Sequence, residues 1–324
     1  MKTADPTPTV RHFNSDSELM RHFLAKPGFL AARIDQICTV LFADLCDCVT
    51  LSQAELILLI DRFGPMSQIQ LARSAGNDKS TTAYIVSNLE KAGRMIRKPS
   101  STDRRVSLVH LSDDMSAEVG QLRSGFETLQ QKLQEAAPDT YQQFLTILIK
   151  LGCDSETAAP LWLCDAKCTS TDLTVATSFL SRRLLQSLQA ECVVRTKGLG
   201  ITLRQFSLLF LLRHRASVTQ GTFSRLFGLD PSTCAVIMNG LEKRGMIAWE
   251  RSPSDKRERV YTITPLGLKT FPEYYRHVLE AQAFIMRHHS EEELDLVIET
   301  LRQMVRRYNS RLRYPGFVSE LLEA

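Results

Sequence analysis

The feature that most constrains this chain of 324 residues is an internal repeat at an offset of 152 residues. Residues 51–112 align with residues 203–264 without a gap, and 19 of the 62 aligned positions are identical. Solenoid repeats have periods of about 20–50 residues, so this offset indicates a duplicated domain instead. Chain length on its own also predicts two domains. We therefore expect two copies of one fold.

The sequence pattern of each copy predicts one helix, followed by two short helices that a tight turn joins. Apolar residues recur at helical spacing over residues 51–63 and 203–214. The boundary residues that follow are an N-cap hydroxyl, a closing glycine, an aspartate N-cap and a second glycine, found at Ser67, Gly76, Asp78 and Gly93, and again at Thr219, Gly228, Asp230 and Gly245. This order of caps and glycines is typical of a helix-turn-helix.

A β-hairpin follows the last of these helices in each copy. Residues 95–98 and 106–111 are rich in strand-forming side chains, with turn residues between them, and residues 247–250 and 260–263 repeat the pattern. The hairpin is a wing. The predicted fold class is therefore mainly α with small β wings (α+β), built from two winged helix-turn-helix units.

Further helices flank both copies. We expect helices near residues 28–47 and 174–196 before the copies, and over 113–135, 138–151, 266–288 and 290–308 after them. The domain organisation predicted from this pattern is an N-terminal arm (1–25), a first winged-helix unit (26–151), a linker (152–172) and a second unit (173–324). Trp162 in the linker suggests that the linker packs against the protein.

The net charge is +4 and the pI is about 8.6, a mild basic excess that many proteins share. Only the positions of the charges along the chain can therefore indicate binding to nucleic acid. Residues 78–105 hold seven basic and three acidic side chains, whereas residues 230–259 hold six basic and five acidic ones. Both wings are basic, as a minor-groove contact requires. We expect the first copy to bind DNA more strongly than the second.

The wing and helix motifs resemble those of the MarR family of bacterial regulators. The first copy carries Leu89-Glu90-Lys91-Ala92-Gly93-Arg94 and then Asp103-Arg104-Arg105, and the second carries Leu241-Glu242-Lys243-Arg244-Gly245-Met246 and then Asp255-Lys256-Arg257. The resemblance implies a repressor or activator whose recognition helices enter successive major grooves. It also implies that Arg105 and Arg257 enter the minor groove, held by Asp103 and Asp255.

The predicted DNA-binding residues combine these wing positions with the exposed side chains of the recognition helices. They are Ser80, Thr81, Tyr84, Asn88, Lys91, Arg97, Lys98, Asp103, Arg104 and Arg105 in the first copy, and Ser232, Thr233, Asn239, Lys243, Arg251, Asp255, Lys256, Arg257 and Arg259 in the second. For the serines and threonines, helix capping alone is the competing interpretation. Val236 and Gly240 stand where the first copy has Tyr84 and Asn88, which weakens the prediction for the second copy.

A ligand pocket is a further expectation, because many members of the resembled family release DNA when a small, often aromatic, acid binds. An arginine among aromatic rings would suit such a carboxylate. The candidates are Phe29, Arg33, Arg62, Phe63 and His110 in the first copy, and Phe179, Arg183, Phe206, Phe210 and His214 in the second. Ordinary core packing is the competing interpretation for each phenylalanine.

Other classes of function receive little support from the sequence. No phosphate-binding glycine loop, zinc-protease motif or nucleophile elbow is present, so we predict neither an enzyme nor a cofactor. The eight cysteines lack the spacing of a metal site, and reduced thiols are expected, although a redox- or metal-responsive regulator stays open. The N-terminus does not read as a signal peptide, which predicts a cytoplasmic protein.

The expected partners are double-stranded DNA and a small-molecule effector. Members of the resembled family dimerise through their outer helices, so the two fused copies predict an intramolecular pseudo-dimer, for which an imperfect palindrome would be the operator. A homodimer of whole chains is the rival. A second copy that serves as a structural or protein-binding module is a further alternative.

Overall fold

The structure, a computed structural model, describes residues 13–154, 156–157, 176–196 and 199–322. In the first repeat and its flanks the elements are α1 (Asp16–Leu24), α2 (Pro27–Ala43), α3 (Leu51–Phe63), β1 (Met66–Ser67), α4 (Gln68–Ala75), α5 (Lys79–Lys91), β2 (Met95–Pro99), β3 (Ser107–Leu111), α6 (Ser116–Ala136) and α7 (Tyr141–Gly152). The remainder comprises α8 (Thr177–Arg195), α9 (Leu203–His214), β4 (Val218–Thr219), α10 (Gln220–Phe227), α11 (Pro231–Glu242), β5 (Ile247–Arg251), β6 (Arg259–Ile263), α12 (Pro265–Ile285), α13 (Glu291–Tyr308), a 3₁₀ turn (Asn309–Arg311) and α14 (Val318–Leu322).

Local capping explains why the helices of each helix-turn-helix begin and end where the sequence indicates. Thr50 and Ser67 form capping boxes with Gln53 and Gln70 at the starts of α3 and α4. Gly76 then ends α4 in the left-handed conformation, at φ 69°, which glycine adopts without steric cost. The second repeat ends α10 at Gly228 in the same way, at φ 59°.

Each wing is part of a three-stranded antiparallel sheet, not the two-stranded hairpin expected. The strand orders are β1-β3-β2 and β4-β6-β5. The extra strands are two residues long, and Met66 pairs with Val109 as Val218 pairs with Tyr261. Each short strand joins the helix before it to the sheet, so the wing is fastened to the helix-turn-helix at its base. The predicted fold class is confirmed.

The described residues divide into two compact units, and this division does not follow the boundaries of the repeat. The first unit comprises residues 27–187 and 288–308, and the second comprises residues 1–26, 188–287 and 309–324. Each winged helix therefore packs with a segment from the far end of the chain. The expectation that Trp162 packs the linker lies outside the described residues.

In the first unit, α13 packs against α2 and α7. The Thr300 hydroxyl donates to that of Thr140 at 2.8 Å, and the Tyr308 hydroxyl donates to the carbonyl of Lys132, also at 2.8 Å. The N-terminal arm expected at residues 1–25 contains α1, which belongs to the second unit. Within the described residues, no helix combines the length and apolarity that crossing a membrane requires.

A buried ion cluster anchors the start of α8 in the first unit. Arg182 pairs with Glu55, whose side chain is fully buried, and its Nε donates to Asp35 at 3.1 Å. The neighbouring Arg183, also fully buried, donates to the carbonyl of Arg73 at 2.6 Å. These contacts fix the first helix-turn-helix to α2 and α8 through charge as well as apolar packing.

Candidate nucleic-acid interface

The recognition helices α5 and α11 each bury one face and expose the other. Ile85 and Leu89 pack inward in α5, as Ile237 and Leu241 do in α11. The outer faces display Tyr84, which is 70% exposed, and Val236, which is 71% exposed. These exposed side chains project from the outer face of each helix, which is the face that a groove of DNA would meet.

The N-terminus of α5 is organised by the carboxylate of Asp78. It accepts hydrogen bonds from the Ser80 and Thr81 hydroxyls and from the Thr81 N–H at 2.8 Å. The bonds from Ser80 and then from Thr81 stabilise the charged form and lower the pKa of Asp78 to about 2. Asp230 is held in the same way in α11 by Ser232 and Thr233, which also lower its pKa.

These caps bear on the predicted role of the four hydroxyl side chains. A phosphate oxygen only accepts hydrogen bonds, and each hydroxyl has one proton, which the cap uses in this structure. Ser80, Thr81 and Ser232 are exposed and Thr233 is half-buried, so all four lie at the surface. A phosphate contact would therefore require the hydroxyl proton to turn away from the aspartate.

The wing turns are shaped by the aspartates that the sequence singled out. Asp103 Oδ1 accepts the main-chain N–H of Arg105 at 3.0 Å, and Asp255 Oδ1 accepts that of Arg257 at 2.9 Å. The resemblance implied that each aspartate holds the arginine, and the structure shows that it does so through the backbone. Both arginine side chains are exposed at the wing tips, beside Arg104 and Lys256.

In each unit a side-chain hydrogen bond joins the recognition helix to the wing, and the sequence analysis did not predict it. Arg97 Nε donates to Glu90 at 2.8 Å, and its Nη2 donates to Gln68 at 3.0 Å. In the second unit Trp249 occupies the position of Arg97, and its Nε1 donates to Glu242 at 2.9 Å. The sequence feature that could have indicated this contact is the glutamate that both copies share, Glu90 and Glu242. Arg97, predicted to contact DNA, therefore also positions the wing.

The second wing carries an additional stacking contact. The Arg259 guanidinium carbon lies 4.0 Å from the centroid of a Trp249 ring. Arg259 also lies directly opposite Arg251 in the β5–β6 register, so two cations face each other across this hairpin. Stacking on Trp249 orients the Arg259 guanidinium on the wing surface, where the first unit has Ser107 at the equivalent position.

The other predicted DNA-binding residues lie at the surface of the two units. Asn88 is half-buried, and the exposed ones are Lys91, Lys98, Asn239, Lys243, Arg251 and Lys256. Together with the wing tips, they place the predicted cations on the recognition helices and wings of both units. These residues stay predicted DNA contacts.

Glycine at position 240 changes the reading face of the second unit. A Cβ there would lie 2.3 Å from the amide nitrogen of Gln205, so a larger residue would displace that side chain. A surface cavity of about 370 Å³ opens beside it, between the start of α9 and α11, where Gln205, Thr233 and Val236 contribute to its lining. In the second unit, the Gln205 side chain therefore occupies the space beside α11 that a larger residue at position 240 would need.

The ligand candidates of the first copy are spread over α2, α3 and β3. Arg33 is buried, which lowers its pKa to about 10, and its Nη1 donates to Gln36 at 2.9 Å. The Arg62 guanidinium carbon lies 5.5 Å from the Phe63 ring centroid. Phe29 lies in α2 and is half-buried, and His110 lies opposite Ile96 in the wing sheet.

The grouping predicted for the second copy needs correction. Phe179 and Arg183 are fully buried in the first unit, because the first half of α8 packs there, whereas Phe206, Phe210 and His214 belong to the second unit. The repeat suggested one pocket from sequence order, and packing separates its members. The three α9 residues do come together, with the Phe210 ring centroid 5.9 Å from Phe206 and 4.8 Å from His214.

The described cysteines bear on the alternative of a redox- or metal-responsive regulator. Cys46 and Cys48 have Sγ atoms 3.0 Å apart, but burial and the contact with Cys46 raise the pKa of Cys48 to about 11. The thiolate is the reactive form, so a raised pKa slows oxidation. In the part of the chain that the structure describes, no cluster of three or more His, Cys, Asp and Glu side chains could hold a metal ion. Cys164 and Cys168 lie outside it.

Comparisons with known proteins find similarity in both repeats. The model of the MarR family matches residues 49–107 and 201–258, which are the two winged helices. An uncharacterized HTH-type transcriptional regulator, YcgE, of Bacillus subtilis (strain 168) is 26% identical over 101 residues, covering 31% of this chain and 66% of the relative. A putative transcriptional regulatory protein for the hcr operon of Thauera aromatica is 22% identical over 107 residues, covering 33% and 64%.

The chain therefore spans a little under two thirds of the length of these curated relatives. Among solved structures, it is similar to the PcaV transcriptional regulator from Streptomyces coelicolor in complex with its natural ligand. That match is 23% identical, covers 42% of this chain and 96% of that chain, and has a TM-score of 0.38.

Proposed function

We propose that this chain, a tandem fusion of two MarR-family units, is a sequence-specific DNA-binding regulator of transcription with two reading heads on one polypeptide. The observation that carries the proposal is the pairing, in each unit, of an exposed recognition helix with a basic wing. The helix fits the major groove, where each base pair presents a distinct pattern. The wing arginines suit a narrow minor groove, whose negative potential attracts cations.

We propose further that one chain supplies both half-site readers as a pseudo-dimer. The exchange of α1 and α13 between the units supports this, because the resembled family dimerises through its outer helices. The 21 residues of the expected linker would span roughly 25 Å as a flexible coil. Such a tether raises the effective concentration of the second unit to about the millimolar range. Since Tyr84 and Asn88 are replaced by Val236 and Gly240, the operator is an imperfect palindrome.

Regulation is the remaining part of the proposal. We place the protein in the cytoplasm, as a repressor that a small aromatic acid releases from DNA. The aromatic rings of α9, with basic side chains near them, support an effector of this class. A ligand that binds the DNA-free conformation better than the DNA-bound one shifts the population toward release.

Light scattering of the full chain, alone and on DNA selected from a random library, tests function and assembly together. We expect one chain on a minimal site with two half-sites about one helical turn apart. Failure to select any sequence would contradict the regulator. Two chains on one minimal site would contradict the pseudo-dimer, and a footprint of a single half-site would make the second unit a structural module.

The two wing arginines should differ in their effect on DNA affinity. Arg105→Ala removes a groove contact, for which a loss of about 1–3 kcal/mol is expected. Arg257→Ala should cost less, because its unit has nearly balanced charge. Fluorescence anisotropy with the selected operator measures both. Arg276→Ala, on the α12 surface, changes the net charge equally and serves as the control. A larger loss for Arg257→Ala would contradict the asymmetry.

A further inference from the structure

A surface groove in the second unit runs between the start of α9 and the recognition helix α11. Its volume is about 370 Å³. Arg204 and Gln205 contribute to its α9 wall, and Ser232, Thr233 and Val236 contribute to its α11 wall. Among the described residues that line the groove, none is acidic. The groove therefore borders the outer face of α11 with a wall that carries a cation and an amide.

The Gln205 carboxamide lies in the space beside α11 that glycine at position 240 leaves open. Its Oε1 accepts the main-chain N–H of Thr202 at 3.0 Å, and the other end of the amide, Nε2, lies against Gly240. Within the described residues, Nε2 donates to no acceptor. In the first unit Gln53 forms the same capping box, but Asn88 stands at the position of Gly240. The second unit thus has an amide donor from α9 where the first has a side chain of its own recognition helix.

Arg204 provides a cation one position earlier on α9. Its side chain is exposed, and in the part of the chain that the structure describes no carboxylate pairs with it. Ser52 stands at the equivalent position of the first unit. A guanidinium and the NH₂ of an amide only donate hydrogen bonds, whereas a phosphate oxygen only accepts them. The α9 wall of the groove is therefore matched to a phosphate group in both charge and hydrogen bonding.

The start of α9 is held in place by contacts within the second unit. Arg244, two residues after α11, donates from Nη1 to the Leu199 carbonyl and from Nη2 to the Gly200 carbonyl, both at 2.9 Å. The Tyr274 hydroxyl donates to the next carbonyl along the chain. In the first unit Ala92 stands at the position of Arg244, so the contact from the recognition helix is specific to the second. Donors that are already held in place lose less conformational entropy when they bind, which favours affinity.

The groove lies where a DNA strand would pass if α11 enters the major groove. An α-helix with its side chains is about 10–12 Å across, and the major groove is about 12 Å wide. The helix therefore fills the major groove, and the phosphates of the two strands pass along its flanks. Val236 projects from the outer face of α11 and also contributes to the wall of the groove. One flank of the recognition helix is thus this groove.

We propose that this groove binds the phosphate backbone of one DNA strand, with the Arg204 guanidinium and Gln205 Nε2 as the donors. The inference rests on the proposed function and adds to it a contact from a helix outside the helix-turn-helix. Phosphate contacts position a protein on DNA without reading its sequence. The second unit, whose recognition helix and wing carry nearly balanced charge, gains affinity from α9 in this way.

Anisotropy titrations of the full chain test the site with two probes, the operator selected from a random library and a duplex of mixed sequence. Arg204→Ala should weaken binding to both by the same factor, about tenfold at low salt, because a hydrogen bond to a charged group is lost. The logarithmic salt slope should become shallower by about 0.9, the contribution of one phosphate. Arg276→Ala, which removes the same charge from α12, should leave the slope unchanged.

Two further variants test the amide. Gln205→Glu keeps an acceptor for the Thr202 N–H, so the cap of α9 is retained, but it places a negative charge beside the phosphate. We expect it to weaken binding by at least about tenfold, and Gln53→Glu, the same change at the same cap of the first unit, to weaken it less. Gly240→Ala displaces the amide and should lower the affinity without lowering the midpoint of thermal unfolding, because alanine favours a helix interior more than glycine does.

The outcomes separate this site from the proposed function. Wild-type affinity and salt slope in Arg204→Ala, wild-type affinity in Gly240→Ala, or equal losses for Gln205→Glu and Gln53→Glu would overturn the site. A loss for Arg204→Ala on the operator but not on the mixed-sequence duplex would also overturn it, because such a contact reads bases. In each of these cases the wild type still binds DNA, so the proposed function stands. A wild type that binds neither duplex would overturn the proposed function, and this inference with it.

Discussion

The DNA affinity of the full chain is expected to fall by about 10³ to 10⁵ between 50 mM and 200 mM salt, given about six to ten phosphate contacts. We expect the exposed cations on the recognition helices and wings to make these contacts: Lys91, Lys98, Arg104 and Arg105, and Lys243, Arg251, Lys256 and Arg257. Each neutralised phosphate releases counterions, so the logarithm of the binding constant falls linearly with that of the salt concentration. Anisotropy titrations at five salt concentrations give the slope.

A charge variant tests the origin of this slope. Arg104→Gln/Arg105→Gln removes two cations from the tip of the first wing, and the slope should become shallower by about 0.9 for each phosphate that is no longer neutralised. The control is Arg276→Gln/Arg302→Gln, whose side chains belong to α12 and α13 and to neither a recognition helix nor a wing. If the slope is near zero in the wild type, or if the control changes it as much, the basic faces are not the DNA interface.

The variant Glu55→Ala should lower the free energy of unfolding by about 3–5 kcal/mol, the usual cost of removing one partner of a buried ion pair. Glu55 is fully buried and Arg182 is 7% exposed, so the guanidinium cannot turn to water when its partner is removed. Asp35 remains, but it contacts the other side of the guanidinium and is itself 29% exposed. Chemical unfolding monitored by circular dichroism measures the change.

The double variant Glu55→Ala/Arg182→Met tests whether the loss of stability comes from an unpaired buried charge or from lost packing. It removes both buried charges and keeps an apolar side chain in place of the arginine, so it should be more stable than Glu55→Ala alone. If the double variant is instead less stable than the single one, the cost comes from the packing of the Arg182 side chain and not from its uncompensated charge.

The sequence allowed the helix-turn-helix and wing of each unit to be predicted because local rules determine them. Leu51–Phe63 and Leu203–His214 have the bounds that their apolar spacing indicated. Asp78 and Asp230 cap their helices as expected, because a side-chain cap depends on residues two or three positions away. The two-residue strands β1 and β4 were missed, since no periodic pattern fits in two residues.

The parts that sequence did not reveal depend on contacts between distant residues. Asp16 and Arg215 are 199 positions apart, and nothing in the first 25 residues indicated that their partners lie in the second winged helix. The hydrogen bond from Arg97 to Glu90 joins a strand to a helix, so neither helical nor strand periodicity alone indicates it. The assignment of Phe179 and Arg183 to the wrong unit has the same cause, because order along the chain does not specify which unit a helix joins.

The exchange of helices between the units also constrains how the chain is made. The first unit includes α13, which the ribosome adds more than 100 residues after the rest of that unit. Protein synthesis proceeds at about 5–20 residues per second, so the first unit waits on the order of 10 s for its last helix. During that time the apolar faces of α2 and α7 lack the helix that covers them. Expression of residues 1–151 alone would likewise leave these faces without the helix that covers them in the full chain.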